Sequence, residues 1–461
     1  MSSTKVNSLT LEALPLTNNA NQLDRSLSWL GATGLAFTIT NSWMSYAATF
    51  GTALVDGGGI TVLLSVLIAG LAQWIVLLGV CEMVSAIPSS GGCYHFTYFL
   101  APKKTRAFAS FTVGIINLLG FWIGGVAGAV YTITSIFRII TFWVDGFQPT
   151  QWQVYLGYVA LVLLSLIPIF TIPPSKTKYQ TTATLSLSLL LLTLLVAVLT
   201  SLARTQYQKP NLSLHQNRSG YDNSTAWLLS ISAGMFSFST TGTVVHLSEE
   251  VKGAERGIPV AINSTMALGL LTTIPFAVVL LLGMQDVQAV QDAWIPSLEA
   301  FYQATGSKSV ATGLQACLVL LYFVTVCTQW VSVSRNAWAL ARDNALPFSP
   351  YFAQISPTHN MPVRTTLLSV SFFIVFGLLY IASSKAFNSF VNMAALLVNI
   401  AYTVPQGILA CRRRDRLSPT RPFNLGKAGY VVNAFSVCWL ILVGVLFCFP
   451  VSIPTSGGEM N

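Results

Sequence analysis

Residues 236–259 read FSFSTTGTVVHLSEEVKGAERGIP, where hydroxyl side chains and a glycine interrupt an apolar run before a histidine and two glutamates follow. Only 8% of the 461 residues are charged, so this concentration of polar groups is unusual for the chain. What such groups do depends on whether water, protein or lipid surrounds them. The rest of the sequence decides between these environments.

The composition is that of a membrane protein. Hydrophobic residues make up 53% of the chain and the mean hydropathy is +0.64, whereas a soluble domain carries about 25% charged residues. Apolar runs of about 20 residues recur, which is the length a helix needs to cross a bilayer. Eleven such runs are found, near residues 30–54, 60–86, 107–137, 152–172, 181–202, 227–247, 258–283, 311–334, 364–382, 387–410 and 430–452. The sequence therefore predicts an all-α polytopic membrane protein and excludes a set of soluble domains.

The basic residues predict the orientation. With the N-terminal tail 1–28 in the cytoplasm, 18 of the 24 Lys and Arg fall on the cytoplasmic side, including the cluster Arg412, Arg413, Arg414 and Arg416. This is the positive-inside bias. Three N-glycosylation sequons, at Asn211, Asn217 and Asn223, fall in one loop assigned to the outside. The net charge of +9 is thus an orientation signal and predicts no nucleic-acid partner. The predicted location is the plasma membrane.

Two of the apolar runs are interrupted by small and hydroxylated residues, the first around Asn41 and the sixth around Thr240. They lie five spans apart and cross in opposite directions, which is typical of transporters built from two inverted five-helix repeats. In such folds, broken helices expose amides and carbonyls at mid-membrane. The alternative for any single residue is that it only permits close helix packing. The pattern predicts a ten-helix transport core at 29–410, a basic loop at 411–429 and an eleventh helix with a short tail at 430–461.

A few ionisable residues within or beside the spans are candidate gating residues. Glu249 and Glu250 mark the cytoplasmic exit of the sixth span, where Lys252, Arg256 or basic residues of neighbouring loops are possible partners. An acid at the depth of Glu82 usually faces a cavity or a partner, and Arg335 is one candidate. His246 is either a gating or substrate-contacting residue or a satisfied structural histidine.

His246 and Glu249 also have the spacing of half a zinc motif, HxxE. That motif needs a second helical histidine, and we expect the other histidines (His95, His215, His359) to lie in loops. No metal site is therefore predicted.

Three stretches carry a resemblance to a known family: Glu82–Phe96 (EMVSAIPSSGGCYHF), His246–Pro259 (HLSEEVKGAERGIP) and Ser334–Phe348 (SRNAWALARDNALPF). Together with NSW at 41–43 and RPFNLG at 421–426, they resemble the fungal amino acid/choline transporter branch of the amino acid–polyamine–organocation superfamily. The resemblance runs from about residue 24 to the C-terminus.

The resemblance implies a leucine-transporter-like core of spans one to ten, with substrate held between the first and sixth spans. It implies substrate-binding roles for residues of both interruptions, and it implies that polar residues of the third and eighth spans border the site, where the eighth span offers hydroxyl groups. These residues are Asn41, Ser42, Trp43, Ser45, Phe236, Ser239, Thr240, Thr241, Gly242, Thr325 and Thr328, with Ser332 a further hydroxyl there.

The sequence departs from the family pattern in two places. Relatives frequently have G-x-D-x-x-x-H, whereas Thr240 and Gly242 stand at the glycine and acid positions before His246. Either a substrate ammonium is then recognised by other groups, or the substrate differs from that of these relatives. Trp43 could attract it through its ring, at about 1–2 kcal/mol when desolvated, or it could be a core-facing tryptophan. The family usually has twelve spans, whereas eleven put the C-terminus outside.

We therefore predict a secondary active transporter for an amino acid, choline or a related small amine, working by alternating access. No Walker A motif is present to supply ATP-driven transport, no cofactor is predicted, and the coupling ion stays open, with a proton favoured by the resemblance. Two alternatives remain: a sensor that keeps the permease fold without transporting, and a membrane-embedded enzyme using His246 and Glu249. The sequence predicts no oligomeric state.

Overall fold

In the computed structural model, the described residues are 25, 27–172, 176–203, 217–382, 384–412, 414, 417–450 and 453, with side chains at all of these except 177, 178, 202, 203 and 384–392. Their regular secondary structure is helical, and among them only two isolated β-bridges occur, Leu27 with Val251 and Ser356 with Met361. Most of the tail 1–28, His215 and the sequon at Asn211 lie outside the described residues, as do Arg413 and Arg416.

Seventeen α-helices and one long 3₁₀ segment follow each other in the described chain. They are α1 (Trp29–Thr40), α2 (Ser42–Asp56), α3 (Gly59–Ala86), α4 (Cys93–Leu100), α5 (Arg106–Trp143), α6 (Gln151–Leu164), α7 (Ile167–Thr171), α8 (Thr177–Ala203), α9 (Asn223–Ser239), the 3₁₀ segment Thr240–Leu247, α10 (Ala254–Gly283), α11 (Val287–Asp292), α12 (Pro296–Thr305), α13 (Lys308–Arg342), α14 (Ser349–Phe352), α15 (Val363–Ala382), α16 (Ser384–Arg412) and α17 (Ala428–Leu446).

Ten helical segments of the described chain are long and apolar enough to cross a membrane, from Gly59–Ala86 to Ala428–Leu446. The first predicted run is not among them because Asn41 divides it into helices of 12 and 15 residues. Ten of the eleven predicted spans are therefore confirmed, and the divided first run is counted with them as a span below. In order, they are α1 with α2, α3, α5, α6 with α7, α8, α9 with the 3₁₀ segment, α10, α13, α15, α16 and α17.

The first span is interrupted at one residue. Asn41 adopts a left-handed conformation, with φ 33° and ψ 63°, and its amide donates to the Phe37 carbonyl at 2.6 Å. Asparagine tolerates this region better than most residues other than glycine. α1 therefore ends at Thr40, and α2 begins at Ser42 in the middle of the span.

The sixth span differs from the prediction because its helix is not broken. It changes from α-helical to 3₁₀ winding. α9 passes at Thr240 directly into the 3₁₀ segment, which continues to Leu247. Such tighter winding uses i→i+3 hydrogen bonds and often marks a functional segment. The small and hydroxylated residues here are compatible with either geometry, so their composition alone does not separate a gap from a change of winding.

The first and sixth spans run in opposite directions, as the inverted-repeat prediction requires. At one end, the Leu27 amide donates to the Glu250 carbonyl at 3.0 Å and the Lys252 amide to the Leu27 carbonyl at 2.9 Å. At the other end, the Arg218 amide donates to the Val55 carbonyl at 2.8 Å. We call the Leu27 end the inner side and the Val55 end the outer side. α2 packs on α9, and α1 packs on the 3₁₀ segment.

The third and eighth spans complete the surroundings of the interruption. α5 packs on both α13 and α16, and α13 also contacts α1 and the 3₁₀ segment. The eleventh span, α17, packs on α16 and α3 at the periphery of this group. The interruption at Asn41 is therefore enclosed by protein and not exposed to lipid, as irregular backbone in a membrane must be.

Candidate functional site

The carbonyls freed by the interruption of the first span have hydroxyl partners. Thr325 Oγ1, from the eighth span, donates to the Thr38 carbonyl at 3.0 Å. Ser45 Oγ donates to the Thr40 carbonyl at 2.8 Å. The sequence predicts exposed carbonyls here, whereas the structure satisfies these two internally.

The amide end of α2 is less covered. The Asn41 side chain accepts no hydrogen bond from the backbone amides of the first turn of α2. Its Oδ1 instead accepts from Ser188 Oγ at 3.0 Å, and its Nδ2 points to Met44 Sδ at 3.7 Å. The N-terminus of a helix carries a partial positive charge that favours electron-rich groups. This helix end lies in the middle of the membrane-spanning core.

A cavity of about 40 Å³ lies beside the interruption, between the first, third, sixth and eighth spans. Because one water needs about 10–15 Å³ of such space, this volume holds only a few waters. The structure is therefore contracted around the cavity, which must widen to admit a solute. The lining residues are Ile39, Met44, Ser45, Ala48, Gly124, Gly128, Tyr131, Phe236, Thr240, Tyr322, Thr325 and Gln329.

The lining is aromatic and polar but contains no Asp, Glu, Lys, Arg or His among the described residues. The Tyr131 ring lies with its centroid 6.3 Å from that of Phe236 and 6.4 Å from that of Tyr322. Aromatic faces attract cations without a carboxylate, and quaternary ammonium groups are bound in this way. The cavity thus has groups suited to a desolvated ammonium.

Four of the predicted substrate-binding residues line this cavity: Ser45, Phe236, Thr240 and Thr325. Thr240 Oγ1 also reaches Thr40 Oγ1 at 3.4 Å, linking the two interrupted spans. Three further lining residues, Tyr131, Tyr322 and Gln329, lie in the third and eighth spans and were not predicted individually. Their only signal was a polar atom within an apolar helix.

Asn41, Ser42 and Trp43 lie at the interruption but outside the cavity lining. Trp43 is fully buried, its Nε1 donates to Ser188 Oγ at 3.2 Å, and its ring meets Phe276 edge-on at 5.2 Å. These contacts agree with the alternative in which Trp43 faces the protein core and not a substrate. Ser42 faces the seventh span, where a Cβ added to Gly269 would lie 2.6 Å from Ser42 Oγ.

Three other predicted hydroxyls donate to their own helix. Ser239 Oγ donates to the Phe236 carbonyl at 3.2 Å, and Thr241 Oγ1 to the Phe238 carbonyl at 3.0 Å. Thr328 Oγ1 donates to the Val324 carbonyl at 2.8 Å. None of the three lines the cavity, nor does Ser332.

Gly242, which stands where the family pattern has an acid, faces a large side chain. A Cβ added to Gly242 would lie 2.5 Å from Tyr402 Oη and 2.6 Å from Tyr402 Cζ. The tyrosine of the tenth span therefore fills the space into which a side chain at 242 would extend. The close approach of Tyr402 therefore explains why a residue without a side chain stands at position 242.

On the inner side, ion pairs join the end of the sixth span to the eighth span. Glu249 accepts from Arg342 at 2.7 and 3.0 Å, and it also accepts from the Ser90 amide at 3.2 Å. Glu250 pairs with Arg335 through two nitrogens. Lys252 and Arg256, suggested from sequence as partners, form neither pair.

Glu82 has partners other than the predicted Arg335, which is engaged by Glu250. The Glu82 side chain is fully buried and pairs with Arg414 and Arg421, the latter at 2.7 Å. The Leu425 amide adds a hydrogen bond to Glu82 at 3.2 Å. The prediction was wrong because these partners come from the loop that follows the tenth span, far away in sequence.

His246 is buried and has partners on both ring nitrogens, and it does not line the cavity. Nδ1 lies 2.8 Å from the Ser90 carbonyl, and Nε2 lies 2.9 Å from Asn117 Nδ2. Phe121 meets the ring edge-on at 5.6 Å. The described residues hold no group of three or more His, Cys, Asp and Glu suited to a metal.

His95 lies in the helix α4 and not in a loop as predicted. Its Nδ1 lies 2.5 Å from Ser89 Oγ and its Nε2 lies 2.5 Å from Asp343 Oδ2. Tyr94 Oη also donates to Asp343, at 2.8 Å. α4 is thereby tied to the end of the eighth span, beside the Glu249–Arg342 pair.

Two of the three sequons lie within the described chain, on the outer side. Asn217 Nδ2 donates to the Tyr221 carbonyl at 2.8 Å, and Asn223 begins α9. Glycosylation of Asn217 and Asn223 stays a prediction.

Comparisons with known proteins agree with this architecture. A family model described as amino acid permease matches residues 27–461. The choline transporter of Saccharomyces cerevisiae is 28% identical over 95% of this chain and 78% of its own length. Amino-acid permease BAT1 of Arabidopsis thaliana is 28% identical over 95% of this chain and 88% of its own. The swainsonine transporter swnT of Arthroderma benhamiae is 25% identical over 95% and 87%.

A solved structure is similar in fold. The crystal structure of the Eremococcus coleocola manganese transporter, in complex with an aromatic bis-isothiourea substituted compound, superposes with a TM-score of 0.59. It shares 12% sequence identity, and the match covers 94% of this chain and 89% of that one. At this identity the likeness shows the fold alone, which is the predicted leucine-transporter-like arrangement.

Proposed function

This chain belongs to the amino acid permease family, and on that premise we propose that it carries a small amine across the membrane through the cavity at the Asn41 interruption. It is a multi-pass membrane transporter and not an enzyme. The solute class we propose is an amino acid, choline or a related small amine. The S. cerevisiae and A. thaliana relatives are named for solutes of this class.

One observation carries the substrate class: the cavity is aromatic and has no acidic side chain in its lining. An ammonium would lie against the rings of Tyr131, Phe236 and Tyr322. A carboxylate or hydroxyl oxygen of the same solute would lie toward the uncapped amide end of α2. A solute with both groups a few bonds apart matches both ends of the cavity. Ser45, Thr240 and Thr325 would supply further polar contacts.

Transport would proceed by alternating access around this cavity. The pairs Glu249–Arg342 and Glu250–Arg335 close the inner side, and they link the sixth span to the eighth. Opening to that side requires them to separate. In this proposal residues 29–410 form the moving core, the inner side is cytoplasmic, and the membrane is the plasma membrane.

The experiment is uptake of labelled choline, GABA, a polyamine and neutral amino acids by a permease-deficient strain expressing the chain. We expect at least one solute of this panel to accumulate in the cells. We expect the other solutes to compete with its uptake through their ammonium groups. Tyr131→Leu should weaken uptake of that solute, whereas Tyr131→Phe, which keeps the ring, should retain most of it. Binding without accumulation of any solute would favour a sensor, which neither the family nor the transporter names of the relatives support.

A further inference from the structure

The partners of His246 define which nitrogen carries its hydrogen. The Ser90 carbonyl can only accept, so Nδ1 is the protonated nitrogen. Asn117 Nδ2 can only donate, so Nε2 presents its lone pair. Both nitrogens of the neutral ring are therefore satisfied in this conformation.

The other half of the Asn117 amide has no such partner. Asn117 is fully buried, and its Oδ1 makes no hydrogen bond with the described residues. Buried polar atoms are nearly always hydrogen-bonded, so an orphaned carbonyl oxygen beside a histidine needs an explanation. Turning the amide by half a rotation would bring Oδ1 to Nε2, where it could accept only if Nε2 carried a hydrogen. The orphaned acceptor is thus the group that a protonated His246 would use.

We propose that His246 binds the proton that is carried together with the solute, and that Asn117 turns its amide to match each protonation state. This inference rests on the proposed transport function. The chemistry is a reversible proton transfer in which the Nε2 lone pair takes a proton from water on one side and returns it to water on the other. No other bond changes.

The position of His246 suits this role because it lies between the solute cavity and the inner ion pairs. Phe121, whose ring contacts His246, receives a hydrogen bond on its carbonyl from the cavity residue Gln329 at 3.0 Å. Ser90, which accepts from His246, donates through its amide to Glu249. His246 is therefore separated by one residue, Phe121, from the cavity lining and by one residue, Ser90, from the Glu249–Arg342 pair.

His246 is surrounded by ionisable groups on several elements, and the cavity lining itself holds only the tyrosine hydroxyls of Tyr131 and Tyr322 among such groups of the described residues. On the inner side, Glu82, Glu249 and Glu250 are engaged by arginines, and Asp343 is engaged by His95 and Arg342. The ionisable groups on the elements packed around His246 are Cys81 and Glu82 of α3 (with Arg414 and Arg421), Cys93, Tyr94 and His95 of α4, Glu249 and Glu250 after the 3₁₀ segment, Lys308, Cys317, Tyr322, Cys327, Arg335 and Arg342 of α13 with Asp343 after it, and Tyr402 of α16. α1 carries none, α5 carries Tyr131 at the cavity with Arg106 and Arg138 nearer its ends, and Glu255 and Arg256 lie at the start of α10.

The test uses the full chain reconstituted in liposomes, with the membrane potential clamped at zero. A gradient of one pH unit then supports about tenfold solute accumulation if one proton moves with each solute. We expect the wild type to accumulate solute toward the alkaline side. His246→Gln, whose amide offers one donor and one acceptor, should lose this accumulation but keep solute–solute exchange, because exchange needs no net proton movement. His359→Gln, the same change in a loop, is the matched control.

A second variant, at Asn117, tests the same site through the pH dependence of uptake. Asn117→Asp places a carboxylate beside the ring and stabilises its protonated form, so the half-maximal pH of uptake should move upward. Accumulation by His246→Gln equal to that of the wild type would overturn the proposal, as would an unshifted pH profile in Asn117→Asp. Wild-type solute transport that does not respond to the pH gradient would overturn the proton-binding proposal. It would leave the proposed transport function intact. Absence of any solute transport would instead refute the proposed function.

Discussion

The Thr325 hydroxyl lies 3.0 Å from the Thr38 carbonyl and donates to it, so that a side chain of the eighth span completes the backbone of the first. In a continuous helix that carbonyl would accept from the amide four residues on, and the left-handed Asn41 prevents this. The interruption is therefore sustained by a partner span and not by the first span alone. Any movement of the eighth span relative to the first must break or carry this contact.

Thr325→Val tests that contact, because it keeps the shape of the side chain and removes the donor. Leaving a buried carbonyl unpaired costs about 1–3 kcal/mol. We expect a lower thermal stability in detergent and reduced uptake for Thr325→Val, and near wild-type values for Thr325→Ser. Equal stability of the two variants would show that the Thr38 carbonyl does not depend on this hydroxyl.

Asn41 is expected to matter chiefly through its backbone conformation. A non-glycine side chain in the left-handed region costs about 1–2 kcal/mol, less for asparagine. Asn41→Leu should insert into the membrane but lose transport, while Asn41→Gly should retain more activity although it also lacks the bond to Ser188. Uptake normalised to the amount of protein in the membrane measures this. Normal transport by Asn41→Leu would place the site elsewhere.

Gly242 and Tyr402 should behave as a coupled pair. Gly242→Ala brings a Cβ to 2.5 Å from Tyr402 Oη and should reduce folding and uptake. Tyr402→Leu removes the clash, so the double variant should recover part of the loss, as contacting residues do in double-mutant cycles. Strictly additive losses would mean that the two residues do not share this space.

Asp343 gives the inner side a defined pH dependence. Burial raises the pKa of its carboxyl, but the hydrogen bond and charge of His95, the Tyr94 hydroxyl and Arg342 outweigh burial, so the pKa lies below its usual value of 3.8. A lowered pKa means that the stabilisation is present above about pH 4 and is lost as the pH falls further. Thermal unfolding in detergent should show a wild-type advantage over Asp343→Asn at pH 7 that shrinks only below about pH 4. A loss centred near pH 6 would contradict this.

The spans and part of the site could be predicted because they depend on local composition. Runs of apolar residues fix where helices cross. Ser45, Phe236, Thr240 and Thr325, to which the family resemblance assigns substrate contacts, line the cavity, and their substrate-binding role stays a prediction. The sequence did not separate a break from a change of winding in the sixth span, because small and hydroxylated residues suit both.

The remaining features depend on contacts between distant segments. Trp43 faces Ser188 and Phe276 because of how the fifth and seventh spans pack, which its own neighbours do not reveal. Glu82 meets arginines more than 300 residues away. Tyr131 and Tyr322 look like packing residues until the third and eighth spans are placed beside the interruption.

The central claim, that solute binds in the cavity beside Asn41, is tested most directly at Gly124. This glycine lines the cavity, and a Cβ added there meets no atom within 4 Å, so an alanine fits without a clash and larger side chains fill progressively more of the cavity. Gly313, also in open space but outside the lining, is the matched control. We predict that solute affinity falls stepwise through Gly124→Ala, Gly124→Val and Gly124→Leu, while Gly313→Leu is unaffected. Wild-type affinity in a well-folded Gly124→Leu variant would contradict the account.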